Sequence, residues 1–78
     1  MKKMTCRQLG GACDETFYAR TFEEMANQSK QHGMEMYKKG DKPHVNAMAE
    51  MQKLMASPAD MQKWMERMRV AFDKLPSL

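Results

Sequence analysis

Lys3-Met4-Thr5-Cys6-Arg7-Gln8-Leu9-Gly10-Gly11-Ala12-Cys13-Asp14-Glu15-Thr16-Phe17-Tyr18-Ala19-Arg20-Thr21-Phe22-Glu23-Glu24 is the stretch that decides the fold. Residues 3–9 have an extended, alternating character. Gly10-Gly11 offers positive φ at no steric cost, so residues 10–14 form a turn. Thr16–Arg20 is rich in aromatic and β-branched residues and supplies a second strand. Thr21 then stands three residues before Glu24, the spacing of a capping box. Its hydroxyl can accept the Glu24 amide hydrogen as a helix begins. A hairpin running directly into a helix is therefore expected.

That helix extends to about Lys39. Lys38 and Lys39 suit its negative end, and Gly40 suits the left-handed position beyond it. At 100° per residue, Phe22, Met25, Ala26, Ser29, Gly33 and Met36 share one face. Asp41-Lys42-Pro43 reads as a short break. A second helix is expected from His44 to about Ala56, with Ala47, Met48, Met51, Leu54 and Met55 on one side. Ser57-Pro58-Ala59-Asp60 starts a third: Ser as cap, Pro in the first turn and an acid beside it. Met61, Trp64, Met65, Met68, Phe72 and Leu75 give this helix the cleanest apolar stripe in the chain, and Leu75-Pro76 ends it.

The predicted architecture is α+β: a small β-hairpin packed on a helix, followed by an antiparallel pair of helices, in the order β-β-α-α-α. The 78 residues make one domain, with a two-cysteine hairpin and helix over 1–40 and a methionine-rich helical hairpin over 44–78. A chain this short hides only about 60% of its unfolded surface, so its stability margin is small. Domains of this size commonly lean on a disulfide, a metal or a partner chain.

Composition narrows the function. Thirteen Lys and Arg face ten Asp and Glu. The excess is spread: eight basic against six acidic residues over 1–43, and five against four over 44–78. No basic face with interleaved aromatics stands out, so nucleic acid is not an expected partner. No apolar run approaches the ~20 residues that cross a bilayer. Met1-Lys2-Lys3-Met4-Thr5-Cys6-Arg7 begins basic but lacks the apolar core of a secretory signal. The expectation is a cytoplasmic protein, where a cysteine pair more often binds metal, takes part in redox chemistry or is buried than forms a permanent disulfide.

The N-terminal half resembles a family of short bacterial proteins known as domain of unknown function 1059, described as predicted small metal-binding proteins. The resemblance rests on Thr5-Cys6-Arg7-Gln8-Leu9-Gly10-Gly11, Cys13-Asp14, Phe17, Thr21 with Glu23-Glu24, and His32. It covers residues 1–39. It implies a metal site built on two cysteines and two helix histidines, but the position five residues after His32 is Tyr37. The methionine-rich segment after Pro43 extends beyond the usual family member.

Read from the residues themselves, Cys6, Cys13 and His32 are the candidate metal ligands. The first helix advances about 16 Å from Thr21 to His32, and the second strand covers a similar distance in five residues at about 3.3 Å each. His32 thus returns to the level of Thr16 or Phe17, opposite Cys6. Cys13 reaches the same point if the glycine turn folds over. Thiolates and imidazole suit one zinc ion, which takes four ligands. Tyr37 lies about 140° around the helix from His32, so the fourth position falls to Asp14, Glu35 or water, or to His44 if the linker folds back. Equally, Cys6 suits a buried small hydrophobe, Cys13 a turn residue and His32 the margin of an apolar face. The two thiols flank one tight turn, within reach of an intramolecular disulfide under oxidising conditions.

Six of the eleven methionines follow Pro43. His44, Met48, Met51 and Met55 fall on one side of a helix, and thioethers with an imidazole can hold Cu(I). Methionine at this spacing more commonly forms a core seam. It also forms adaptable binding surfaces, so Met48, Met51, Met55, Met61, Trp64, Met65 and Met68 make a candidate interaction surface for a second copy of the chain or another protein. Trp64 and Phe72 are expected to anchor the last helix. No phosphate loop, serine triad or carboxylate pair is legible, and a domain this small has little room for a substrate pocket. The expected function is a non-enzymatic metal-binding or metal-stapled module. The alternative is a protein-interaction module or homodimer whose cysteines are purely structural.

Overall fold

A computed structural model describes residues 1–78. Two strands are followed by three helices: β1 (Lys2–Thr5), β2 (Thr16–Ala19), α1 (Phe22–Lys39), α2 (Lys42–Leu54) and α3 (Pro58–Lys74). The architecture is the α+β order expected. β1 and β2 pair antiparallel, with Met4 opposite Phe17 and Thr5 opposite Thr16. This register puts Met4, Phe17 and Ala19 in the core, while Thr16 and Tyr18 face outward. The first strand is shorter than its sequence suggests. After Thr5 the chain tightens into a 3-10 turn over Arg7–Leu9, closed by Gly10 at φ 97°. Gln8 explains part of the change, because its side chain accepts the Thr5 amide hydrogen at 2.8 Å and competes with continued pairing.

α1 packs across the inner face of the hairpin with Phe22 and Met25 buried. Thr21 caps it as expected, accepting from the Glu24 amide at 3.2 Å. The Glu24 carboxylate reaches one residue further back than a standard capping box and accepts from the Arg20 amide. At the other end Gly40 adopts φ 72°. The Asp41 amide donates to the Met36 carbonyl at 3.1 Å and the Gly40 amide to Tyr37 at 3.0 Å, the hydrogen-bond pattern of a Schellman cap.

Residues 41–43 are not a break, as the sequence suggested. Asp41 is already the cap of α2, accepting from the His44 amide at 3.1 Å, and Pro43 occupies the first turn, where its missing amide hydrogen costs nothing. Only Gly40 and Asp41 separate the two helices, so α2 starts two residues earlier than expected.

Eight side chains form the buried cluster: Met4, Cys6, Leu9, Phe17, Ala19, Phe22, Met25 and Phe72. Seven come from the hairpin, its turn and the start of α1. α3 contributes only Phe72, set edge-on to Phe22 at 6.0 Å. Lys2 Nζ donates to the Phe72 and Asp73 carbonyls, both at 3.0 Å, and Arg69 pairs with Glu23 at 2.9 Å. The C-terminal end of α3 is thereby pinned across the hairpin and α1. Its first two turns carry the apolar stripe outward: Met61 is 49% and Met65 39% exposed. Trp64, expected as a core anchor beside Phe72, is only half-buried. Met48, Met51, Met55 and Met68 are half-buried as well. The molecule is flat, 33 × 28 × 15 Å, and a body about 15 Å thick has no second core for these methionines to fill. No helix is long and apolar enough to cross a membrane.

Candidate metal centre

Cys6 sits where β1 gives way to the 3-10 turn. Its amide donates to the Glu15 carbonyl at 2.8 Å, and its carbonyl accepts from Leu9 at 3.1 Å and Gly11 at 2.8 Å. The chain thus curls around its own cysteine, and a Cβ on Gly11 would overlap Cys6 Sγ. A glycine is required there by close approach rather than by backbone angle. The Arg7 amide donates to the Cys13 carbonyl at 2.9 Å, which folds the glycine turn over and brings the second cysteine beside the first. Both thiols are free, Cys6 buried and Cys13 half-buried.

α1 delivers His32, whose ring lies edge-on to Phe17 at 5.6 Å. Its Nε2 is 3.2 Å from Cys13 Sγ. α2 delivers His44, only 5% exposed, with Nε2 3.6 Å from Cys6 Sγ. The two imidazoles meet edge-on at 5.2 Å. The ligand atoms of Cys6, Cys13, His32 and His44 all lie within 4.8 Å of one another, close enough to hold a metal ion. Tetrahedral zinc with bonds of about 2.0–2.3 Å needs its ligand atoms roughly 3.3–3.8 Å apart. The sulfur–nitrogen separations of 3.2 and 3.6 Å already sit at or close to that spacing.

All three ligand candidates read from the sequence therefore converge. The fourth member is His44, the option that required the linker to fold back. Asp14 is drawn away by Arg7, at 3.1 Å, while Glu35 and Tyr37 are exposed. The signal for His44 was present in Gly40-Asp41-Lys42-Pro43-His44: a left-handed glycine, an acidic cap and a first-turn proline compress the connection until His44 falls in the first turn of α2. His44 does not join Met48, Met51 and Met55 in a thioether site, because its Nε2 faces Cys6 Sγ.

Sequence reasoning also missed Asp41. Its Oδ2 lies 2.5 Å from His44 Nδ1 while accepting the His44 amide hydrogen. An Nδ1–H donated to Asp41 leaves the Nε2 lone pair aimed at the cysteines. This is the arrangement by which an outer carboxylate fixes the tautomer of a metal-ligating histidine. The side-chain hydrogen bond with His44, then that from the His44 amide, holds the Asp41 carboxyl below its ordinary pKa. Burial pushes the Cys6 thiol up, partly countered by the Cys13 amide hydrogen. A cation entering the cluster would take the place of the two thiol protons, the exchange by which metals bind cysteine.

Comparison with protein-family models, with curated proteins and with solved structures finds no match.

Proposed function

We propose that this protein is a small, non-enzymatic, cytoplasmic module that binds one zinc ion through Cys6, Cys13, His32 and His44. The convergence of two thiols and two imidazole Nε2 atoms within 4.8 Å carries the reading. Two sulfur and two nitrogen donors match the closed structural sites of zinc proteins, which leave no open position for substrate. A closed set of two sulfur and two nitrogen donors favours zinc, whose structural sites are four-coordinate and tetrahedral. Three ligands come from the first 39 residues and the fourth from α2, so the ion staples the hairpin–helix unit to the methionine-rich helices. A domain with eight buried apolar side chains gains substantially from such a staple. Native mass spectrometry of protein purified without chelator, followed by zinc titration, should show one bound ion per chain. A bare polypeptide mass with no uptake at micromolar zinc would overturn the proposal.

A second reading, compatible with the first, is supported by the exposure of Met61 at 49% and Met65 at 39%. These residues, with Met48, Met51, Met55, Trp64 and Met68 alongside, make a surface suited to another copy of the chain or a different protein. Sedimentation across a concentration series tests self-association. A monomer throughout would exclude the homodimer.

A further inference from the structure

Resting on the zinc-binding reading, we infer that the centre is also a redox latch: a peroxide converts Cys6 and Cys13 to an intramolecular disulfide, expels the ion and releases α2 from the hairpin and α1. The two sulfurs belong to one cluster, within 4.8 Å of each other, and both sit on the single turn that folds Cys13 back over Cys6. The Cys13 side chain is only half-buried, and by rotating toward Cys6 it closes the bridge within the turn.

The chemistry balances as follows. Cys13 is the accessible thiolate, so its sulfur attacks one peroxide oxygen. The O–O bond breaks, hydroxide leaves and Cys13 becomes a sulfenic acid. Cys6 Sγ then attacks the Cys13 sulfur, the S–O bond breaks and a second hydroxide departs. Two thiolates have lost two electrons, and the peroxide has gained them as two hydroxides, which take protons from solvent to become water. The nearby second thiolate intercepts the sulfenic acid before further oxidation. With both thiolates consumed, two imidazoles remain, and the cluster no longer offers the four donors of a structural zinc site.

The consequence for the fold comes from where the ligands sit. The disulfide lies wholly within the hairpin turn, so β1, β2 and α1 keep their contacts. His44 is the only member of the cluster contributed by the chain beyond residue 39. Beside the cluster, Gly10, Gly33, Met34, Met48 and Met51 line a groove of about 250 Å³ that reaches Cys6 and His44. Without the ion, the hold of α2 on the hairpin and α1 comes down to apolar packing such as Met48 on Gly33 and Met51 on Gly10. Release of α2 turns Met48 and Met51 toward solvent, adding to the exposed Met61 and Met65 of α3. Oxidation is thus converted into a larger apolar surface.

The test uses the full-length, zinc-loaded protein with hydrogen peroxide as oxidant, a chromophoric chelator to read free zinc, intact mass to read the thiols, and an environment-sensitive dye to read apolar surface. Peroxide should release one zinc per chain, remove two hydrogens per chain without forming a cross-linked dimer, and raise dye fluorescence severalfold. A thiol reductant should restore zinc binding. Removing zinc with a chelator alone should raise the dye signal equally. Zinc retained under peroxide, or lost with sulfinic acids or intermolecular disulfides in place of the internal bridge, overturns the latch while leaving zinc binding intact. Zinc loss with no gain in dye signal overturns the release of α2. A protein that takes up no zinc before peroxide is added overturns both readings.

Discussion

Replacing His44 with alanine is the sharpest test of the cluster, because this residue joins it solely through the tight α1–α2 connection. The backbone amide of residue 44 survives in His44→Ala, so the Asp41 cap on α2 is retained. What is lost is one buried imidazole facing Cys6. If zinc binds the folded chain alone, a free concentration one hundredfold above Kd stabilises it by about 2.7 kcal/mol. A 78-residue domain gains about 6 °C in melting temperature per kcal/mol, so zinc should raise the wild-type Tm by about 16 °C. Losing an outer partner of a metal site weakens binding about 10–100-fold, and losing a direct ligand should cost at least the upper figure. At the same free zinc the variant would retain only about 0.4 kcal/mol, a shift of about 2–3 °C. The assay is thermal unfolding of both proteins with chelator and with buffered zinc, comparing the zinc-induced shift within each protein so that any change in apo stability cancels. A shift above about 10 °C in His44→Ala would refute ligation by His44.

Three further outcomes follow from individual contacts. Asp41→Asn keeps an equally good helix cap but removes the carboxylate from His44 Nδ1. Zinc affinity should fall about tenfold or more in a chelator competition, and an unchanged Kd would show that Asp41 only caps the helix. Phe72→Ala removes the one core side chain of α3 and should cost about 3–5 kcal/mol in urea unfolding, with Trp64 fluorescence reporting the loss of docking; a cost below about 1 kcal/mol would mean that the Lys2 and Arg69 contacts suffice. Burial raises the Cys6 pKa in the metal-free fold, so the stability gained by keeping it a neutral thiol is full below about pH 8.5, the ordinary thiol value, and is lost as pH climbs through the raised value. The apo Tm should therefore fall as pH rises above about 8.5, while zinc-loaded protein, whose thiolates would be held by the ion, resists the decline. An apo Tm that rises over this range would contradict the burial of Cys6.

Local chemistry made much of this molecule legible in the chain itself. The hairpin turn, the starts of α1 and α3 and the end of α1 are written in Gly10, Thr21, Ser57 and Gly40, because caps and left-handed positions depend on neighbours a few residues away and on little else. Cys6 and His32 could be placed opposite each other because strand and helix rises set their separation, whereas Cys13 depended on the glycine turn folding over. Tertiary structure decided which apolar stripes are buried and what completes the four-residue cluster. Met25 and the methionine-rich faces of α2 and α3 look alike in sequence, yet Met25 is fully buried, while Met61 and Met65 face outward. Periodicity marks a face without saying whether another layer covers it, and a flat fold of this thickness covers only one. His44 is the clearest case. Its role hangs on the angle at which α2 leaves α1, set jointly by the Schellman turn at Gly40, the Asp41 cap and the packing of both helices around the hairpin. No spacing along a single element encodes that angle, so His44 passes from one option among several to a member of the cluster only when the elements are assembled.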